Sequence, residues 1–264
     1  MSRLFCNGEP LDAALAGAAL VNYGHFTSMQ VRAGAVQGWA LHLQRLQQGT
    51  RELFDAALDE AQLREWLRQA LARCGIQDAS LRITVFSRGF DFRQPLRAVP
   101  VDVLVGVGAP ALPPAAGRAV LPVRYQREMP HLKHVGTFPL FHHRRMAMHE
   151  GFDDALFVDA AGRVGEGSTW NLAFLDGDEV AWPQAPALRG TAERLLVAGL
   201  ERQGMAQSWR EIPLEALPGL AGAVACNATG LWPLSRIGPC RFGHSEALLQ
   251  RLRQVLAQEP WLPL

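Results

Sequence analysis

The sequence predicts an α/β (α+β) chain in two domains. Three observations carry that expectation. At 264 residues the chain has room for one large or two modest domains. Short apolar alternations and amphipathic helical stretches interleave along it without a strict βαβ beat. Residues 109–117 (APALPPAAG) break both patterns, because proline stops helix and sheet alike and Gly117 ends the stretch. The expected division is a small N-terminal α/β domain over 1–110, a linker over 111–117 and a larger C-terminal domain over 118–264.

The elements follow in chain order. Arg3–Leu11 reads as a hairpin around an Asn7-Gly8 turn, and Phe26–Val36 as a second one turning at Gly34. Leu41–Leu46 opens a helix. Ala61–Arg73 is strongly amphipathic, with Leu63, Trp66, Leu67, Ala70 and Leu71 on one face. Leu81–Ser87 and the almost wholly apolar Val101–Val107 are strands, the second expected to be buried. Past the linker, Arg118–Arg124 is a strand and Pro139–His149 a helix. Strands fit Ala155–Asp159, Asn171–Leu175 and Glu179–Trp182, with turns at Gly162 and Asp176-Gly177. Ala192–Gln203 and Ser245–Ala257 are helices, and Ala221–Cys226 is a strand of small residues.

Composition narrows the function classes. The chain is 48% hydrophobic and 19% charged, with a net charge of +1. Its arginines are scattered, which argues against a nucleic-acid surface or an anionic membrane partner. No apolar run reaches the roughly 18 residues of a membrane span. The apolar stretch 11–21 carries Asp12 and lacks the basic leader of a signal peptide. Cys6, Cys74, Cys226 and Cys240 form neither C-x-x-C pairs nor Cys-His zinc spacing, so reduced thiols in a cytoplasm and no metal are expected.

Lys133 is the single lysine against twenty-five arginines. Arginine replaces lysine wherever only charge is wanted, but it cannot replace an amine that must attack a carbonyl. Lys133 sits among Pro130-His131-Leu132-Lys133-His134-Val135-Gly136, an apolar setting suited to a Schiff-base lysine, although a surface lysine before a helix fits the heptapeptide too. Val164-Gly165-Glu166-Gly167-Ser168-Thr169-Trp170-Asn171 flanks one carboxylate with glycines at a turn into a strand. Such a carboxylate suits a pyridine nitrogen, or is a solvated hairpin residue. Leu188-Arg189-Gly190-Thr191-Ala192 opens a helix and is either a phosphate cradle or a plain cap. Leu41–Leu46 carries Arg45 on an apolar helix, pointing at an anion or snorkelling to water. Cys226-Asn227-Ala228-Thr229-Gly230 is a second small-residue cradle or an ordinary turn. Arg88 and Arg93 follow a strand; either could hold a substrate carboxylate or be a solvated loop charge, and one of the two is expected to be solvated. His142, His143, Arg144 and Arg145 read as a solvated or interface face.

Taken in order, these segments resemble the class IV (fold-type IV) pyridoxal-phosphate aminotransferase family, which includes D-amino-acid and branched-chain aminotransferases and aminodeoxychorismate lyase. His42-Leu43-Gln44-Arg45-Leu46 is similar to H-[LI]-x-R-L, and Leu132-Lys133-His134 to the lysine segment. Gly151–Phe157 is similar to G-x-D-E-A-L, and Val164–Asn171 to V-x-E-G-S-x-x-N. Leu188–Ala192 is similar to L-x-G-[IV]-T. Phe26-Thr27-Ser28, Cys226-Asn227-Ala228 and Trp232-Pro233-Leu234 resemble segments of the lyase. The resemblance implies pyridoxal 5'-phosphate (PLP) as cofactor, with Lys133 as catalytic residue. Arg45, Glu166, Gly190, Thr191, Ala192, Asn227 and Ala228 would bind the cofactor, and Phe26, Thr27 and Arg93 the substrate. It implies a small and a large domain with the cofactor between them, a homodimer, and small amino and 2-oxo acids as substrates. Departures stand at Gly136, where the family has Asn, at Asn22-Tyr23-Gly24 in place of G-D-G, and at Glu193, where the family has Arg after a threonine here shifted to Thr191. Three functions follow: an aminotransferase first, a 4-amino-4-deoxychorismate lyase second, and a non-catalytic PLP-binding module third.

Overall fold

The computed structural model describes residues 3–10 and 22–264; the apolar stretch 11–21 and the end of the first predicted hairpin at Leu11 lie outside them. The chain divides into two compact units, one built from Met1–Ala111, Leu132–Gly136 and Trp261–Leu264 and the other from Leu112–His131 and Thr137–Pro260. Both mix helix and strand, as the α/β (α+β) class requires.

In the first unit β1 (Arg3–Cys6) turns into β2 (Glu9–Pro10), and β3 (His25–Val31) into β4 (Ala35–Gln37). Asn7 and Gly8 both take positive φ, 49° and 83°, the conformation a two-residue hairpin turn demands. Helices α1 (Trp39–Phe54) and α2 (Glu60–Cys74) follow, then β5 (Ala79–Phe86) and β6 (Asp102–Gly108). Asp59 caps α2 by accepting the Gln62 N–H at 2.7 Å. The sheet runs β2-β1-β6-β5-β3 with every neighbour antiparallel. Met29, Val31, Leu81, Ile83, Val103 and Val105 point from one face into a core shared with Leu46 of α1 and Leu63 and Leu67 of α2. Although β6 reads as uniformly apolar, it alternates: Val103, Val105 and Val107 are buried, whereas Leu104 and Gly106 are only half-buried.

The second unit opens with β7 (Arg118–Arg124), α3 (Phe138–His149), β8 (Asp154–Val158), β9 (Val164–Gly167), β10 (Asn171–Asp176) and β11 (Glu179–Pro183). Then come α4 (Thr191–Arg202), β12 (Gln207–Arg210), β13 (Gly222–Asn227), β14 (Gly230–Ile237), β15 (Cys240–Arg241) and α5 (Ser245–Ala257). The strands form one sheet in the order β12-β11-β10-β13-β14-β7-β8-β9, with β15 on β14. Both faces of its middle are covered, so β10 is apolar at every position from Leu172 to Leu175. Ala173 and Leu175 pack with Leu196 and Leu200 of α4 and Leu248 of α5, while Leu172 and Phe174 pack with Trp232 and Leu234 on the other side.

Three features depart from the sequence reading. Glu166 lies within a strand, β9, which pairs with β8, rather than at a turn; its two flanking glycines hide the strand signal. The eight-residue β14 is masked by Pro233 in its middle. Its pairing with β7 begins only at Leu234 opposite Arg118, so Pro233 sits where β14 has a neighbour on one side and a missing N–H costs no bond on the other. The division at 111–117 also needs correction, because two segments beyond it return to the first unit. Lys133 C=O accepts the Phe26 N–H at 2.9 Å and Val135 N–H donates to Gly24 C=O at 2.9 Å. The C-terminal β16 (Trp261–Pro263) adds to β4. No described helix is long and apolar enough to cross a membrane.

Candidate active site

In the first unit the chemistry gathers on β3, α1 and the returning Lys133 segment. Successive residues of a strand face opposite ways, so Phe26 and Thr27 do different work. Phe26, 6% exposed, presents its ring to the Lys133 Nζ, 4.9 Å from the centroid, and to the Arg82 guanidinium at 3.6 Å. An ammonium over a phenyl face is attracted by the ring quadrupole, which helps to place the Lys133 side chain. Thr27, fully buried, faces α1. Its Oγ1 lies 2.7 Å from His42 Nδ1 and accepts from Arg45 Nη1 at 3.5 Å. A hydroxyl carries one hydrogen and two lone pairs, so Thr27 Oγ1 can serve His42 and Arg45 together. Burial pushes His42 down to about 3, with Arg45 and Lys133 repelling its cation as well. His25, bonded through Nε2 to Thr50 at 3.1 Å, is pushed down to about 4 by burial. Both imidazoles are therefore neutral in the fold. His25 reaches its place because Gly49 has no Cβ; one there would stand 2.7 Å from the imidazole.

In the second unit β9 supplies Glu166, 3% exposed. Its partner is Arg127, which sequence reading missed. Arg127 Nε donates to Oε1 at 2.9 Å and Nη2 to Oε2 at 3.3 Å, a fork-on-fork pair that fixes the carboxylate plane. The side chains are 2% and 4% exposed. The same small cavity is lined by Tyr125, Phe157 and Ala185. The turn after Glu166 is pinned from α3: Arg144 donates to Ser168 at 3.1 Å, to Thr169 at 2.7 Å and to Asp154 at 3.1 Å. Trp170 Nε1 donates to Asp154 at 2.9 Å. Arg144 is thus a structural clamp, not part of the solvated face expected for His142–Arg145. Gly167 is obligatory, since a Cβ there would fall inside the Trp170 ring.

At the head of α4 the Gly190 N–H donates to Asn171 Oδ1 at 3.0 Å and Asn171 Nδ2 to Leu188 C=O at 2.7 Å. A Cβ on Gly190 would overlap Asn171 Oδ1. The first helical bond runs from Arg194 N–H to Gly190 C=O at 3.0 Å, so the N–H groups of Thr191, Ala192 and Glu193 precede it at the positive end of the helix. Thr191 is 5% exposed and its Oγ1 has no hydrogen-bond partner. A buried hydroxyl left so is costly, and an anion at the helix end would satisfy it.

The remaining predicted residues have structural ties. Asn227 Oδ1 accepts the Thr229 N–H at 2.8 Å and Nδ2 donates to Thr169 C=O at 3.3 Å, which holds Ala228 in the β13–β14 turn. Of the two loop arginines, Arg88 is engaged by Asp102 at 2.6 Å. Arg93 is exposed on the β5–β6 loop, its guanidinium 4.6 Å from the Phe92 ring centroid. Gly136 suits its place because a Cβ there would stand 2.9 Å from His134 Nδ1, the atom onto which its N–H turns back at 3.1 Å. Among the described residues no group of three His, Cys, Asp or Glu is placed to hold a metal ion.

A family model for class IV amino-transferases matches residues 24–237, and the chain belongs to that family. No curated protein matches it by sequence. Among solved structures it is similar to a branched-chain aminotransferase from the thermophilic archaeon Thermoproteus uzoniensis with norvaline (TM-score 0.85, 17% identity, 97% of this chain and 95% of that one). It is similar to a hypothetical aminotransferase from Mycobacterium tuberculosis in its PLP-bound form (0.80, 19%, 97% and 98%). It is also similar to an aminodeoxychorismate lyase-like protein from Legionella pneumophila (0.80, 16%, 92% and 93%). At these identities the likeness establishes the fold. Family membership implies a PLP-dependent enzyme.

Proposed function

We propose that the chain is a PLP-dependent class IV aminotransferase, moving an amino group between an amino acid or amine and a 2-oxo acid. The observation that carries this is Lys133, the only lysine, held with its Nζ over the buried Phe26 ring. The donor set fits the cofactor. In the first unit Arg45 suits a phosphate, and so, in the second, does the α4 head with the partnerless Thr191 hydroxyl. Glu166, countered by Arg127, suits its ring nitrogen, because each carboxylate oxygen keeps a lone pair beyond the one Arg127 uses.

When bound, the cofactor supplies an electron-poor ring that accepts the pair released as a bond at the substrate amine carbon breaks. Lys133 Nζ would hold the cofactor and, as a free amine, would carry the proton removed from the substrate carbon. Glu166 holds a proton on the ring nitrogen, and Arg127 keeps that carboxylate planar and aimed. His42 and Thr27 act through Arg45, whose guanidinium they orient. Gly190, Ala192, Asn227 and Ala228 serve by backbone and turn geometry. Phe26 and Arg93 are the proposed substrate contacts, Arg93 toward a carboxylate.

The lyase reading is favoured by Phe26-Thr27-Ser28 and Cys226-Asn227. Thr27 and Asn227 are, however, committed to His42, Arg45 and Thr169, so these motifs say less about substrate than their sequence suggests. The discriminating assay offers amino substrates with and without a 2-oxo acid. Turnover that needs the acceptor and vanishes in Lys133→Ala supports the aminotransferase. Multiple turnover without any acceptor refutes it in favour of the lyase, and no turnover of any amino substrate moves the non-catalytic module to the front.

A further inference from the structure

The head of α4 holds a group that the phosphate-cradle reading does not use. Glu193 is the third residue of the helix and is 1% exposed. The nearby Gly190 N–H favours its ionised form but is given to Asn171 Oδ1. Oε1 accepts from Arg189 Nη1 at 3.1 Å. Oε2 has no hydrogen-bond partner, and neither has the neighbouring Thr191 Oγ1. Two buried, partnerless oxygens therefore stand at one helix end.

The charges around this point conflict. The α4 end and Arg189 favour an anion. Glu166 on β9 adds a second negative charge to the surroundings, and Cys226 on β13, its thiol pushed well up by burial and by Glu193, contributes none. Burial raises Glu193 to about 7, with Glu166 adding to the rise and Arg189 opposing it. An ionised Glu193 already occupies the positive end that a phosphate would seek. A protonated Glu193 removes that charge and turns Oε2 from an acceptor into an O–H donor.

We propose that Glu193 is part of the anion site at the α4 head and that a phosphate group binds there together with a proton taken up on Glu193 Oε2. The reaction is uptake of one proton from solvent by each ionised Glu193 that receives a phosphate, with no covalent change; where Glu193 is already protonated no proton is taken up. The proposal rests on the cofactor reading above. It makes the cradle of this chain prefer phosphate at lower pH, through the residue at which the chain departs from the family's arginine.

The test is titration calorimetry of the full chain with PLP, and separately with inorganic phosphate, between pH 6 and pH 8 in buffers of differing ionisation heat. Glu193→Gln, neutral and of the same shape, is the reference in which the titrations of phosphate and cofactor cancel. Linkage with a group at about 7 predicts that wild-type affinity falls about tenfold more than Glu193→Gln affinity across that range. Near pH 7 the wild type takes up about half a proton more. Arg189→Gln, which removes the cation opposing protonation, is expected to shift the wild-type profile to higher pH and supplies the same information should Glu193→Gln not fold. Coincident pH profiles of wild type and variant overturn the proposal while leaving the cofactor reading intact. Absence of PLP and phosphate binding in both proteins overturns the cofactor reading and this proposal together.

Discussion

Replacing Arg127 by methionine removes the counter-charge of Glu166 while keeping most of the side-chain volume. The two side chains are 2% and 4% exposed and doubly hydrogen-bonded, so water cannot take over the role of the guanidinium. Breaking a buried pair from one side leaves an uncompensated charge and costs about 3–5 kcal/mol. At roughly 2–4 °C per kcal/mol for a chain of this size, the melting temperature should drop by about 6–20 °C. The double variant Arg127→Met, Glu166→Gln removes the charge as well as its partner and should recover a large part of the loss. Thermal and urea unfolding of the four proteins of that cycle give the coupling directly. A single variant that loses under about 1 kcal/mol, or a double variant no better than Arg127→Met, would refute the idea that Arg127 exists to hold Glu166.

Two further outcomes follow from the first unit. Thr27→Val keeps the shape but removes the hydroxyl shared by His42 and Arg45. Leaving the buried His42 and the half-buried Arg45 each one partner short should cost about 1–3 kcal/mol in urea unfolding and weaken binding of inorganic phosphate, whereas Thr27→Ser should restore both. The depressed His25 and His42 make stability depend on pH with a definite sign. Their folded values, about 4 and about 3, lie below the ordinary 6.5, so the unfolded chain binds more protons between them. The stabilisation is present above pH 6.5 and is lost as pH falls toward 4. Urea midpoints measured across that window should fall in the wild type and fall less in His42→Gln; parallel curves would mean His42 is not buried neutral.

Much of the candidate site was legible because its residues announce themselves locally. One lysine among twenty-five arginines, a carboxylate between glycines, and a Gly-Thr before a helix are visible in a few residues each. Arg127 was not, since it is one of many arginines and owes its role to Glu166 on a distant strand. The helices were readable from their apolar faces, and α2 runs from Glu60 to Cys74 where Ala61–Arg73 was expected. Strand β14 was not, because Pro233 reads as a break unless one knows that β7 has not yet begun to pair there. That Lys133 belongs with β3 is likewise a long-range fact, made by two backbone hydrogen bonds to Gly24 and Phe26 that no local pattern encodes. Arg144 misled for the same reason: its partner Asp154 lies beyond the helix that carries it.

The most direct test of the central claim is the absorbance spectrum of the wild type beside Lys133→Ala, each loaded with PLP and dialysed free of excess. The account predicts a near-violet band retained by the wild type and lost or shifted in the variant, since no other lysine can take the place of Lys133. Identical bands in both proteins, or none in either, would contradict it.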